Sequence, residues 1–228
     1  MLITGTRTGI GRYLAEWYVA KAFRVVGISR GESDLRAENY HHVRLDVREE
    51  RAVKEMFSTI RARYGRLDIL VNNAGVNPAI APVLLTPLGS VCRAFETNFL
   101  GTFLLSREAA KLMSRKSFGR IINFSSMAVR HEVAGEAVYT ATKAAITAFS
   151  RVFAKEVYKL GITCNVLAPS AIDTTLSRAV DPGALRDMLQ RNAIPEHGSL
   201  SDISNSIDWL IRPESQAITG QVIFLGGA

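Results

Sequence analysis

The sequence predicts an α/β fold, a doubly wound parallel sheet of about seven strands with helices on both faces. Two observations predict it. Short apolar runs rich in β-branched residues alternate along the chain with longer segments of helical periodicity. The runs are also apolar on both faces, as strands are when crossover helices cover both sides of a parallel sheet. A chain of 228 residues suffices for one such domain, 1–228, and is short for two joined by a linker. At 47% hydrophobic and 21% charged, with 17 Gly and 7 Pro, it fits disorder, collagen-like repeats and coiled coil poorly.

In chain order the predicted strands are Leu2–Thr4, Val25–Ser29, Val43–Leu45, Ile69–Val71, Ile121–Phe124, Thr163–Leu167 and Val222–Leu225. The predicted helices are Ile10–Ala22, Glu49–Tyr64, Gly89–Met113, Tyr139–Leu160, Pro182–Arg191 and Ser201–Ile211. Gly65 and Gly161 stand where two of them should stop, because glycine takes the left-handed conformation of a helix end without a Cβ penalty. One long stretch, Ser170 to Gly220, has no predicted strand and is punctuated by Pro182, Pro195 and Pro213.

Twenty-eight Lys and Arg against 21 Asp and Glu give a formal charge of +7. The basic residues are scattered, so a nucleic-acid partner is not expected, whereas an anionic small molecule would suit a positive cleft. Nowhere do about 18 apolar residues run together, and Met1-Leu2-Ile3-Thr4-Gly5 does not open a leader, so the expectation is no membrane and a cytoplasmic location. Cys92 and Cys164 lie far apart, which suggests neither a disulfide framework nor a cysteine zinc site. His131-Glu132 lacks a second histidine at helical spacing, and His41-His42 and His197 stand apart, so no metal site is expected.

The first strand runs into Gly5-Thr6-Arg7-Thr8-Gly9-Ile10-Gly11 and then a helix. Glycines there let the backbone turn tightly and bring amide N–H groups against a pyrophosphate at a helix N-terminus, where the helix dipole also favours anions. A glycine turn without ligand would carry the same letters, but the strand-loop-helix context is the one a dinucleotide site requires. At the end of the second strand, Ile28-Ser29-Arg30-Gly31 offers no carboxylate for an adenosine ribose. Arg30 instead suits a ribose 2′-phosphate, with the Ser29 hydroxyl as a further donor, so NADP is expected over NAD. A solvated Arg30 paired with Asp34 is the competing reading.

Tyr139 and Lys143 lie one helical turn apart. An ammonium that close should lower the phenol pKa toward working pH, as a general acid or base needs. With the glycine loop, Asn72-Asn73-Ala74-Gly75 and Tyr139-Thr140-Ala141-Thr142-Lys143, the chain resembles the short-chain dehydrogenase/reductase family over nearly its whole length. It is similar to the short, single-domain branch that includes β-ketoacyl carrier-protein reductases, whose loop has the same Gly-xxx-Gly-x-Gly form. The resemblance implies a Rossmann sheet, a nicotinamide cofactor, and a catalytic set of Asn98, Ser126, Tyr139 and Lys143. Tyr139 would protonate a carbonyl oxygen, Ser126 would hold it, Lys143 would bond the nicotinamide ribose, and Asn98 would fix a water in a proton relay. From local sequence, Ser125 competes with Ser126, and Asn98 could instead satisfy buried backbone groups.

The resemblance further implies that Asp46 and Val47 meet the adenine, and that Asn73, Ala74 and Gly75 lie on the adenosine side. Pro169, Ile172 and Thr174 would border the nicotinamide. Asp46 could instead cap the helix from Glu49. The chain departs from the family pattern in two informative places. Arg7 stands one position earlier than the family's basic residue, where Thr8 is found, and Pro169-Ser170 replaces the common Pro-Gly. A substrate lid is expected within 173–220, with a plain surface excursion as its rival. Apolar spacing at Val91, Phe95, Phe99 and Phe103 and at Ile146, Phe149 and Phe153 suggests, with the resemblance, a homodimer or homotetramer. The expected activity is hydride transfer between nicotinamide and a carbonyl or secondary alcohol, with β-ketoacyl thioester reduction the nearest analogy. A sugar or polyol dehydrogenase of the same family and a non-catalytic dinucleotide-binding sensor are the alternatives.

Overall fold

All seven apolar runs become strands of one parallel sheet in the computed structural model, which describes residues 1–78, 80–172, 183, 186 and 189–227. In chain order the elements are β1 (Leu2–Thr4), α1 (Gly9–Ala20), β2 (Val25–Ser29), β3 (Tyr40–Arg44), α2 (Glu50–Tyr64) and β4 (Ile69–Asn72). Then come α3 (Leu88–Ala94), a π-helical turn (Phe95–Leu100), α4 (Gly101–Met113), β5 (Gly119–Phe124) and α5 (Ala128–His131). The chain continues with α6 (Ala137–Val157), β6 (Ile162–Ala168), α7 (Leu200–Leu210) and β7 (Val222–Phe224).

The strand order β3-β2-β1-β4-β5-β6-β7 reverses direction of winding between β1 and β4. There Ile3 pairs with Gly27 on one side and Val71 on the other. Chain segments leaving β1 and β4 diverge to opposite faces, which opens a crevice at the carboxyl edge of the sheet. Alternation of side chains along each strand divides the core. Leu2, Leu70, Ile121 and Cys164 pack against Val53 of α2, Leu105 of α4 and Phe153 of α6. Their neighbours Ile3, Val71 and Ile122 pack against Leu14 and Tyr18 of α1 and Ile203 and Ile207 of α7. Truncating any of these aliphatic residues to alanine costs about 2–5 kcal/mol.

The differences from expectation have local causes. The third strand spans Tyr40–Arg44 rather than Val43–Leu45, because an edge strand need not be apolar: the Tyr40 hydroxyl bonds Thr6 Oγ1 at 3.2 Å and His42 Nδ1 at 3.1 Å. The predicted helix Gly89–Met113 is interrupted at Phe95–Leu100 by the π-helical turn, whose Asn98 carbonyl accepts a bond from Thr102 Oγ1 at 2.7 Å. The helix expected from Tyr139 begins two residues earlier and ends at Val157, followed by a 3₁₀ turn to Leu160. Helix α5 carries too few residues for periodicity to reveal it. The predicted helix Pro182–Arg191, Thr174 and much of the expected lid lie outside the described residues.

Candidate active site and dinucleotide groove

Thr4 ends β1, and Gly5 then takes a φ of +76°, which turns the chain under the start of α1. At Gly11 a Cβ would run into the Gly5 carbonyl oxygen and stand 2.6 Å from Asn73 Nδ2, so only glycine lets α1 start this close to the strand ends. Thr8 at the helix N-cap makes no side-chain capping bond, which leaves the first backbone N–H groups of α1 for an outside acceptor. The crevice beside this turn is a groove of ≈ 400 Å³. Gly5, Arg7, Thr8, Gly9, Ile10, Ser29, Arg30, Val47, Asn73, Ala74 and Gly75 line it, as expected of a dinucleotide cradle.

Other members of the expected set do not border the groove. Thr6 is fully buried and shares its hydroxyl with Tyr40 and the Ile28 carbonyl. Gly11 serves the packing just described. The Asp46 carboxylate is held by the Arg48 guanidinium at 2.8 Å and by the Arg48 N–H at 3.1 Å, which keeps it well below the usual carboxylate range. Asp46 does not cap α2; Glu49 holds that position. Ile28, Gly31, Leu45, Val76 and Thr97 line the groove without having been singled out; each adjoins a strand end or the π-helical turn, a signal that topology gives and motif matching does not.

The basic end of the groove favours one of the competing readings of Arg30. Asp34 is paired with Arg12, not Arg30. Arg30 is exposed and makes no hydrogen bond or ion pair with a described residue. Arg7 folds back over Gly31, where a Cβ would lie 3.1 Å from its Nη1, so the one-residue offset still brings a second guanidinium beside Arg30. Ser29 differs from expectation: its hydroxyl donates to the Gly31 carbonyl at 2.8 Å and shapes the turn.

At the other end, β5 delivers two serines to the carboxyl edge, and their surroundings separate them. Ser125 is buried and donates to the Lys143 carbonyl at 3.1 Å. Ser126 accepts the Ala128 N–H at 3.1 Å, and its hydroxyl lies near enough to the Tyr139 phenol to act on it. Lys143 is 5% exposed, donates to the Phe124 carbonyl at 2.9 Å and stands 5.7 Å from the centre of the Tyr139 ring. A Cβ on Gly75 would lie 3.6 Å from Lys143 Nζ and 3.3 Å from Asn98 Oδ1, so the groove leads directly to this cluster.

Asn98 is fully buried, and its amide accepts the Val76 N–H at 2.8 Å and donates to the Val76 carbonyl at 2.9 Å and to Thr142 Oγ1 at 3.0 Å. Its side chain therefore does what the rival reading foresaw: it satisfies backbone groups and pins the loop after β4 to α6. The phenol also differs from expectation. Burial pushes Tyr139 up to about 12, against the opposing pull of the Ser126 side chain. Lys143 does not lower it; burial draws the ammonium itself down to about 8, and its bond goes to the Phe124 carbonyl. A phenol held this high carries its proton at neutral pH.

The short chain dehydrogenase family model matches residues 1–184. The chain belongs to the short-chain dehydrogenase family. The 3-oxoacyl-[acyl-carrier-protein] reductase FabG of Salmonella typhimurium is 33% identical, with 99% of this chain and 95% of that protein covered. Among solved structures, ElxO with NADP bound has a TM-score of 0.90 and 30% identity over 98% of this chain and 95% of that one. The 4-hydroxyisoleucine dehydrogenase complexed with NADH has a TM-score of 0.88 and 27% identity over 99% of this chain and 96% of that one.

The loop after β6 lies beside the loop that follows β5. The Pro169 carbonyl accepts the Met127 N–H at 3.0 Å, tying this loop to the one bearing Ser126. Ser170, in place of the common glycine, accepts a bond from Asn192 Nδ2 at 2.8 Å, and Asn192 Oδ1 meets His131 Nε2 at 2.8 Å. The substitution thus adds a link between the loop after β6, the segment near residue 192 and α5. Ile172 is buried in the core on the α1 side and bridges to Gly198. No candidate metal cluster is found among the described residues, and no helix among them is long and apolar enough to cross a membrane.

Proposed function

We propose that this short-chain dehydrogenase is an NADP(H)-dependent carbonyl reductase in which Tyr139 is the proton donor. The groove fits the cofactor: Gly5 and Gly9 leave room for a pyrophosphate at the start of α1, and Arg7 and Arg30 supply cations for a 2′-phosphate. When bound, the reduced nicotinamide supplies the hydride. Ser126 orients the carbonyl oxygen by donating a hydrogen bond, and Tyr139 Oη gives that oxygen its proton as negative charge develops. Lys143, still mainly cationic at neutral pH with its pKa drawn down to about 8, would hold the ribose hydroxyls and supply a proton path back to the phenol. Asn98 holds the Gly75–Val76 backbone against α6, which keeps the groove in register with the phenol.

The observation that carries this reading is the groove itself: two arginines stand at one end, and at the other Gly75 borders Lys143, whose Nζ is 5.7 Å from the centre of the Tyr139 ring. Similarity to 3-oxoacyl-[acyl-carrier-protein] reductase supports β-ketoacyl thioesters as the substrate class. We further propose a cytoplasmic enzyme that dimerises through the face of α4 and α6, where Leu100 and Val152 are exposed beside a cluster of Phe99, Phe103 and Phe149. The test is a panel of β-ketoacyl thioesters, sugars, polyols and simple ketones followed at the nicotinamide absorbance with NADPH and NADH. NADPH-dependent reduction of the thioesters above the others is expected. Preference for sugars or polyols would reassign the substrate, and no turnover with any class would favour a binding role.

A further inference from the structure

Three side chains that the chemistry above does not use, Ser170, Asn192 and His131, close a circuit of hydrogen bonds beside Ser126. The buried Asn192 amide donates from Nδ2 to Ser170 Oγ at 2.8 Å, and its Oδ1 accepts from His131 Nε2 at 2.8 Å. His131 ends α5, and its backbone N–H bonds the Met127 carbonyl at 3.0 Å. The Met127 N–H in turn bonds the carbonyl of Pro169, the residue before Ser170, at 3.0 Å. The circuit thus runs from Met127 through Pro169, Ser170, Asn192 and His131 back to Met127. Ser126 precedes Met127 and is fastened to α5 twice, its Oγ accepting the Ala128 N–H at 3.1 Å and its carbonyl the Val129 N–H at 3.2 Å.

We propose that Asn192 is a positioning residue for the reaction: by joining Ser170 to His131 it fixes α5, and with it Ser126, against the loop after β6. This rests on Ser126 orienting the carbonyl oxygen. A four-residue helix cannot hold its place by its own bonds, so the aim of α5 depends on what grips its two ends. The Met127 bond to Pro169 grips the first end and the Asn192 bond to His131 the second. An amide suits the second place because it offers a donor and an acceptor on one rigid plane. Asn192 is itself held from behind, since the Ala193 and Ile194 N–H groups bond the Gly227 and Gly226 carbonyls at 3.1 and 2.8 Å. At Gly226, whose φ is +104°, a Cβ would stand 3.2 Å from both Asn192 Nδ2 and Ser170 Cβ, so the amide is closely packed. The other restraints near the end of α5 come from exposed arginines: Arg191 Nη1 donates to the His131 carbonyl at 3.3 Å, and Arg130 lies over Phe224 at 4.8 Å.

The test is Asn192→Leu, which removes both side-chain bonds at similar size, with Ser170→Ala and His131→Phe removing one each and His131→Gln keeping an N–H donor. Backbone hydrogen exchange is followed in the NADP-loaded proteins at Met127 and Ala128, with Val71 of β4 as the distant control. Asn192→Leu should speed exchange at Met127 and Ala128 about tenfold or more while Val71 stays within about twofold of wild type. Ser170→Ala and His131→Phe should each give most of that effect, their combination should add little, and His131→Gln should recover most of the protection. Single-turnover ketone reduction should slow about tenfold in Asn192→Leu and recover in His131→Gln, because a displaced Ser126 misplaces the reacting carbonyl. Unchanged exchange at Met127 and Ala128 would overturn the proposal. So would equal acceleration at Val71, which marks general loosening, or faster local exchange with reduction at the wild-type rate. Because amide exchange needs no turnover, a wild-type protein that reduces no ketone would count against the proposed function, and exchange alone would then decide whether Asn192 holds α5 in place.

Discussion

Removing the Lys143 charge should make the stability of this protein less dependent on pH. The ammonium is buried in the folded chain and its pKa falls from the ordinary lysine value of 10.5 to about 8. Between those values the unfolded chain holds one more proton than the native state, so wild-type stability rises with pH across the window. Below about 8 the penalty is fully present, and at 1.36 kcal/mol per unit it amounts to about 3 kcal/mol. Lys143→Met removes that penalty and loses the 2.9 Å bond to the Phe124 carbonyl, which costs about 1–2 kcal/mol. The variant should therefore be more stable than wild type by about 1–2 kcal/mol at pH 7, and less stable by about 1–2 kcal/mol at pH 10.5. Urea unfolding of both proteins at several pH values from 7 to 10.5 measures this. Parallel stability curves would refute the claim that the folded chain buries a strained ammonium beside the phenol.

Three further outcomes are expected. Arg30→Ala should weaken NADPH about tenfold with little effect on NADH, and adding Arg7→Ala should bring the loss to about a hundredfold; cofactor fluorescence titration measures both, and equal losses for the two cofactors would reject the phosphate assignment. Asn98→Ala leaves the Val76 backbone groups and Thr142 without their partners, so a loss of about 2–4 kcal/mol in urea unfolding is expected; a loss within about 0.5 kcal/mol would show that the loop after β4 is held by something else. Replacing both Leu100 and Val152 by Asp should shift a dimer to monomer on gel filtration, and unchanged elution would remove α4 and α6 as the contact.

The strands were legible because both faces of the sheet are covered, so their apolar runs stand out even at three residues, as in Leu2–Thr4. The edge strand was the exception: Tyr40, His41 and His42 carry no apolar signal, and their place depends on a hydroxyl contact with Thr6. The π-helical turn escaped periodicity because Phe95, Phe99 and Phe103 keep an apolar face through it. Motifs single out Ser126, Tyr139 and Lys143 in the sequence, yet spacing does not tell which way each side chain turns. Thr6 points into the core, Ser29 into its own turn, and Asp46 to Arg48, all decided by partners distant or unremarkable in sequence. The direction of the Tyr139 shift has a related cause. Spacing brings an ammonium near the phenol, but burial acts on both groups and outweighs the attraction.

The proton-donor assignment is tested most directly by Tyr139→Phe, assayed for cofactor affinity and for single-turnover ketone reduction. The phenyl ring preserves packing and removes only the hydroxyl. NADPH should bind within about twofold of wild type while the reduction rate falls by about a thousandfold or more, in the range expected for loss of a general acid and an oxyanion contact together. A variant that binds NADPH and still reduces ketones at close to the wild-type rate would contradict the assignment.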